Sequence, residues 1–128
     1  MKLTDDQLNV LTEKIIGLCI EIHRQVGPGL LESAYAVCLA YELGKAGIRF
    51  KREVPVPLRY KDVVLDCTYR LDFLIEDVLV LELKAVEKLE RIHQAQVLTY
   101  LRLAGKPIGL LINFNVPLLK EGIVRLRN

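Results

Sequence analysis

Cysteine is scarce in this chain and lacks a pattern: Cys19, Cys38 and Cys67 are odd in number, widely spaced and set among apolar residues, with no CxxC pair and no histidine cluster nearby. A disulfide framework and a structural zinc site are thereby excluded, and reduced, buried thiols are expected. An excess of one charge is also missing. Eighteen basic residues against 16 acidic ones leave a formal net charge of +2, too small to mark a polyanion binder by its bulk field, so charge placement must carry any such argument. No apolar run approaches the roughly 20 residues that span a bilayer. The amino-terminal Met1-Lys2-Leu3-Thr4-Asp5-Asp6 has no apolar signal core, so a soluble, cytoplasmic protein without a membrane partner is expected. No Walker or Rossmann glycine-rich loop and no GxSxG elbow is present, which leaves ATPase, oxidoreductase and esterase chemistry without support. Internal repeats and low-complexity linkers are absent.

What is there is a globular composition. The 128 residues are 52% hydrophobic and 27% charged, enough for one domain over residues 1–128 with a real core. Thr4-Asp5-Asp6-Gln7 reads as a capping box, and Leu8, Leu11, Ile15, Leu18, Ile22 and Val26 recur at steps of three or four, predicting a helix from about Asp5 to Gln25. Gly27-Pro28-Gly29 interrupts it, and Leu30 to Ala46 resumes helical character up to Gly47. Glu53 to Tyr60 is extended, its prolines suiting an edge strand, with a turn at Lys61-Asp62. Val63 to Ile75 and Val78 to Leu83 follow as strands about a Glu76-Asp77 loop. Helical character returns from about Leu89 to Ala104, and Ile108 to Ile112 is a fully apolar strand with another near Ile123 to Leu126. The fold class is α/β (α+β), with a helical pair preceding a central mixed sheet flanked by helices.

One group of residues could do chemistry. Glu82 and Lys84 are two apart in the most apolar strand and share a face of the sheet. A three-residue loop at Glu76 to Val78 would put Asp72 directly opposite Glu82 on that same face, leaving Phe73, Ile75, Leu79, Leu81 and Leu83 as a clean core face; a two-residue loop would separate the two acids. Two converging carboxylates supply oxygen ligands for Mg²⁺ or Mn²⁺, and an adjacent lysine can orient water and stabilise charge on a phosphate. The same three residues could instead be a structural ion pair or a solvated sheet face.

Gly29-Leu30-Leu31-Glu32-Ser33-Ala34-Tyr35 reproduces a GxxExxY motif at the start of the second helix. Together with Arg70-Leu71-Asp72-Phe73, Glu82-Leu83-Lys84-Ala85-Val86, Gln96-Val97-Leu98-Thr99-Tyr100-Leu101 and Gly109-Leu110-Leu111-Ile112-Asn113-Phe114, it resembles, in order and over nearly the whole chain, the GxxExxY family of the PD-(D/E)xK nuclease superfamily. The resemblance implies metal-dependent hydrolysis of nucleic acid phosphodiesters. Asp72, Glu82 and the Leu83 carbonyl would bind Mg²⁺ or Mn²⁺, Lys84 would act on the water, and Glu32 would add a helix-borne carboxylate and a further metal ligand. Gln96 and Tyr100, four apart on one helix face, resemble the motif of the RecB-like exonuclease branch that borders the active site.

Each of these residues also has a plainer reading. Glu32 can serve the helix dipole, Gln96 and Tyr100 can be hydrogen-bonded polar groups of an amphipathic helix, and His93 can be a surface or capping residue. Tyr35 and Tyr41 fit core packing with the hydroxyl at the rim, although Tyr35 could also reach the site or stack on a base. Arg49, Lys51, Arg52, Arg59, Lys61 and Arg70 crowd the strands upstream of the site. Arg49, Arg52 and Arg70 are taken as substrate-binding anchors for phosphate, with edge-strand protection as the other explanation. The expected partner is nucleic acid, DNA before RNA, bound by a monomer or a homodimer. A catalytically silent binding module and a partner-binding subunit are the rivals on the same fold.

Overall fold

A computed structural model describes residues 2–66 and 69–128; the expectation for Cys67 lies outside them. Helix α1 spans Asp5–Val26 and α2 spans Glu32–Lys45. The capping box at Thr4 is formed reciprocally: Gln7 N–H donates to Thr4 Oγ1 at 3.1 Å and Thr4 N–H donates to Gln7 Oε1 at 2.8 Å. The apolar stripe of α1 buries Leu8, Ile15, Cys19 and Ile22, whereas Val26, at the end of that stripe, is exposed. Burial pushes the Cys19 thiol up to about 12, so it stays protonated, as a core thiol should. Helix α2 starts two residues later than its composition suggests, because Gly29 at φ 99° keeps the chain out of helical geometry until Leu31.

Five strands build the main sheet in the order β1-β4-β5-β6-β7, where β1 is Phe50–Pro55, β4 Arg70–Ile75, β5 Leu79–Lys84, β6 Ile108–Asn113 and β7 Ile123–Arg127. Neighbours are antiparallel except β5 and β6, which are parallel and joined through helix α3, Arg91–Ala104. The proline-bearing strand is at an edge, as expected. The stretch predicted as one strand from Val63 to Ile75 is divided. Its first part, β3 (Val63–Leu65), pairs with β2 (Leu58–Tyr60) in a separate two-stranded ribbon whose turn has Lys61 at φ 56°. The reason is a register mismatch. Pro55 pairs with Arg70 and Leu58 with Leu65, so the two ladders are out of step by two residues and one cannot run into the other.

The two faces of the sheet bury different cores. Phe73, Ile75, Leu79, Leu81 and Leu83 pack with Ile15, Cys19, Tyr35 and Leu39 of the helical pair. Leu74, Val80 and Leu111 pack with Val97, Tyr100 and Leu101 of α3. The approach of α3 is close enough that a Cβ on Gly109 would lie 2.9 Å from Val97 Cγ1. Leu71 joins the α3 side although it shares parity with Phe73, so β4 changes face at Asp72. Opposite that point Glu53 adopts φ 52°, a left-handed conformation uncommon for a non-glycine residue.

Candidate active site

The hairpin of β4 and β5 fixes the site. Glu76 and Asp77 occupy the left-handed region at φ 50° and 61°, and Ile75 pairs with Leu79, so the loop holds three residues and Phe73 pairs with Leu81. Extending that register by one places Asp72 opposite Glu82. Backbone pairing stops there and side chains replace it: Asp72 N–H donates to Glu82 Oε1 at 2.9 Å, and Leu83 N–H donates to Asp72 Oδ2 at 2.8 Å. Each carboxylate is thus held by the partner strand, where β4 twists away at the kink opposite Glu53.

Burial sets the electrostatics of the pair. Glu82 is 4% exposed, and its carboxyl is pushed up to about 8, first by burial and then by the charge of Asp72. Burial likewise raises Asp72, against the lowering effect of the Leu83 N–H and of Lys84. Lys84, half-buried at the end of β5, opposes both acids in this balance, while Glu32 adds to the negative field. Both carboxyls therefore favour the protonated form more than an ordinary carboxylate does.

Glu32 and Tyr35 explain the GxxExxY spacing. Tyr35 is fully buried, stacks on Phe114 with ring centroids 4.3 Å apart, donates from its hydroxyl to the Gly27 carbonyl at 2.7 Å and accepts the Leu30 N–H at 3.1 Å. It therefore clamps the loop that leads into α2 and does not reach the site. One turn earlier, Glu32 accepts the Ala85 N–H at 3.3 Å, just past Lys84. Tyr41 is exposed.

From the α3 side, Tyr100 comes up to the carboxylates. Its hydroxyl is raised to about 12 by burial first, then by the charges of Glu82 and Asp72, while a hydrogen bond from Gln96 opposes the shift. Gln96 and Tyr100 thus share one face of α3, and Tyr100 lies within range of the charges of the pair. His93 takes the capping role: its Nδ1 accepts the Glu90 N–H at 2.8 Å.

The basic anchors divide. Arg49 is not brought to the site, because it sits at the turn end of the hairpin, where its guanidinium donates to Glu76 at 2.9 and 3.1 Å. Arg52 lies 5.3 Å over the Phe73 ring, and Lys61 lies 5.5 Å over the Tyr60 ring. Arg70 is exposed two residues before Asp72, and Lys51 and Arg59 are exposed on β1 and β2.

Asn113 was missed by sequence reasoning. Buried at 1% exposure, it pairs in register with Lys84, accepts the Val86 N–H at 3.0 Å, donates to the Val86 carbonyl at 2.9 Å and accepts the Asn115 N–H at 3.2 Å. Its amide thereby fixes the peptide segment whose Ala85 N–H meets Glu32. The signal was an asparagine closing an otherwise apolar strand.

Two opposed carboxylates, Glu82 buried and Asp72 half-buried, are a donor set suited to a hard divalent cation. Among the described residues no three His, Cys, Asp or Glu side chains cluster as a ready-made cage, and Glu32 adds to the negative field at the pair. None of the described helices is long and apolar enough to cross a membrane.

The sequence model of the PD-(D/E)XK nuclease superfamily matches residues 9–126. No curated protein matches the chain, and no solved structure does.

Proposed function

The chain belongs to the PD-(D/E)XK nuclease superfamily, and on that footing we propose that it is a Mg²⁺- or Mn²⁺-dependent nuclease of the GxxExxY type, hydrolysing nucleic acid phosphodiesters at Asp72, Glu82 and Lys84. The superfamily carries the coarser statement, nuclease chemistry on nucleic acid. The assignment to these residues rests on one observation: the buried Glu82 and half-buried Asp72 face each other across β4 and β5, with a lysine two residues beyond Glu82.

In this reading Asp72, Glu82 and the Leu83 carbonyl hold the cation, which supplies Lewis-acid stabilisation of the phosphate and a more acidic water. Lys84 Nζ orients the attacking water and offsets charge that develops on the phosphate oxygens as the P–O bond breaks. Glu32 adds negative field beside Lys84 and keeps its carboxylate on the Ala85 N–H. The hydroxyl of Tyr100, kept protonated by its raised pKa, donates at the border of the site with Gln96 behind it. Arg70 is the best placed of the upstream cations for a phosphate contact, and Arg52 is held against Phe73. The RecB-like exonuclease type, DNA in preference to RNA, residues 1–128 as one domain, and a homodimer are parts of the same reading.

The test is cleavage of labelled single- and double-stranded DNA and RNA with Mg²⁺, with Mn²⁺ and with chelator, using wild type beside Lys84→Ala. Metal-dependent cleavage by wild type and its loss in a folded Lys84→Ala protein are expected. Equal cleavage by both would overturn the assignment, and no cleavage of any substrate by either would favour a silent binding module.

A further inference from the structure

Beside the carboxylate pair lies a cavity of about 270 Å³ between α3 and the residue that enters β4, lined by Tyr69, Ile92, His93, Gln96, Thr99 and Tyr100. Its size is just under the roughly 300 Å³ at which small-molecule pockets begin, so it suits one planar group rather than an extended ligand. Among the described residues its lining contains no lysine, arginine or acid. A phosphate has nothing there to neutralise it, whereas a neutral ring finds two tyrosine rings, an amide, a hydroxyl and an imidazole. Two large side chains of the lining remain in contact with water: Tyr69 is 43% and Ile92 69% exposed.

Two further features tie the cavity to the proposed chemistry. The Tyr69 ring leans on Tyr100 with centroids 5.8 Å apart and planes at 59°, and Tyr100 is the group that feels the charges of Glu82 and Asp72. The Tyr69 backbone is anchored, because its carbonyl accepts the Val56 N–H at 2.8 Å. Because His93 uses Nδ1 as an acceptor for the Glu90 N–H, its proton resides on Nε2, which makes that nitrogen a donor.

We infer that this cavity is a nucleobase subsite, in which an unpaired base next to the phosphate at Asp72 and Glu82 stacks on Tyr69 against Ile92, with its edge toward Gln96, Thr99 and His93. The inference rests on the proposed nuclease reading for its substrate and narrows it to strands with an accessible, unpaired base. Stacking on an aromatic ring tolerates any base, and the amide, hydroxyl and imidazole add both donors and acceptors.

The test is binding, measured by fluorescence anisotropy of a labelled single-stranded oligonucleotide in chelator, so that cleavage plays no part. Tyr69→Ala should weaken binding about tenfold and Tyr69→Phe by less than about twofold, since the ring rather than the hydroxyl does the stacking. Ile92→Ala should show a smaller loss of the same kind. An abasic position walked along the strand should, at one place, cost wild type about the same tenfold while leaving Tyr69→Ala unaffected. Tyr69→Ala binding like wild type, or abasic strands weakening both proteins equally, overturns the subsite, and so does a wild type that binds no strand. Base-dependent binding without metal-dependent cleavage would keep the subsite and sink the nuclease reading; cleavage with base-independent binding would do the reverse.

Discussion

Along the β4–β5 hairpin, Glu76 at the turn and the pair Asp72 and Glu82 at the open end are treated in opposite ways. At the turn, Glu76 accepts the Arg49 backbone N–H at 3.0 Å and its guanidinium at 2.9 Å, and these bonds hold its carboxyl below the usual range. At the open end, the buried Glu82 and half-buried Asp72 face each other, and desolvation raises both. The turn carboxylate has its cation in place and fixes a loop with two left-handed residues. The open-end pair is costly as built, and that cost is what a bound divalent cation would relieve. A charge in a sheet therefore reads as structural or functional according to whether the fold has already supplied its partner.

The comparison is broken most severely by neutralising the open end. Asp72→Asn with Glu82→Gln should lower metal-dependent cleavage by roughly 10³-fold or more while leaving the far-ultraviolet circular dichroism unchanged; retained cleavage would contradict the site. Lys84→Ala should cost on the order of 10² to 10³ in kcat, with the melting curve preserved. Asn113→Ala removes the clamp on Val86, leaves buried backbone groups unpaired at about 1 to 3 kcal/mol, and should reduce both cleavage and melting temperature; a drop in only one of them would separate Asn113 from Lys84 and Glu32.

Stability sharpens the comparison. Glu82 has a folded pKa of about 8 against an ordinary 4.5. Its contribution to stability is therefore fully present below about pH 4.5 and is lost as pH rises to 8, the reverse of Glu76, whose lowered pKa contributes above its ordinary value and fails in acid. Glu82→Gln should flatten the decline in melting temperature between pH 5 and 8 and stabilise the fold at the upper end, as thermal melts across that range would show. The smallest effect belongs to Arg49→Ala. It breaks a pair whose arginine side chain is 86% exposed, so a loss below about 1 kcal/mol and unchanged cleavage are expected.

Much of this was legible in the residues. The alternation of Phe73, Ile75, Leu79, Leu81 and Leu83 fixed the face and hence the three-residue loop, and the Thr4 box fixed the start of α1. The turn at Lys61-Asp62 between two extended segments was legible, but the separation of the Leu58 to Leu65 ribbon from the main sheet was not, because it depends on a register mismatch between strands and not on the pattern within either one. Arg49 looked like a phosphate anchor because proximity in sequence to Asp72 says nothing about which end of a hairpin a side chain occupies. Asn113 escaped for a related reason: its role is a side-chain substitute for a strand, visible only when β5 and β6 are side by side.

The most direct test of the central claim is a calorimetric titration of Mn²⁺ into wild type and into the Asp72→Asn, Glu82→Gln variant at neutral pH, in two buffers of different ionisation enthalpy. Binding by wild type alone, with a buffer-dependent heat that reports a released proton, is the predicted result. No binding by wild type, or equal binding by both proteins, would contradict the assignment of Asp72 and Glu82 as the metal site.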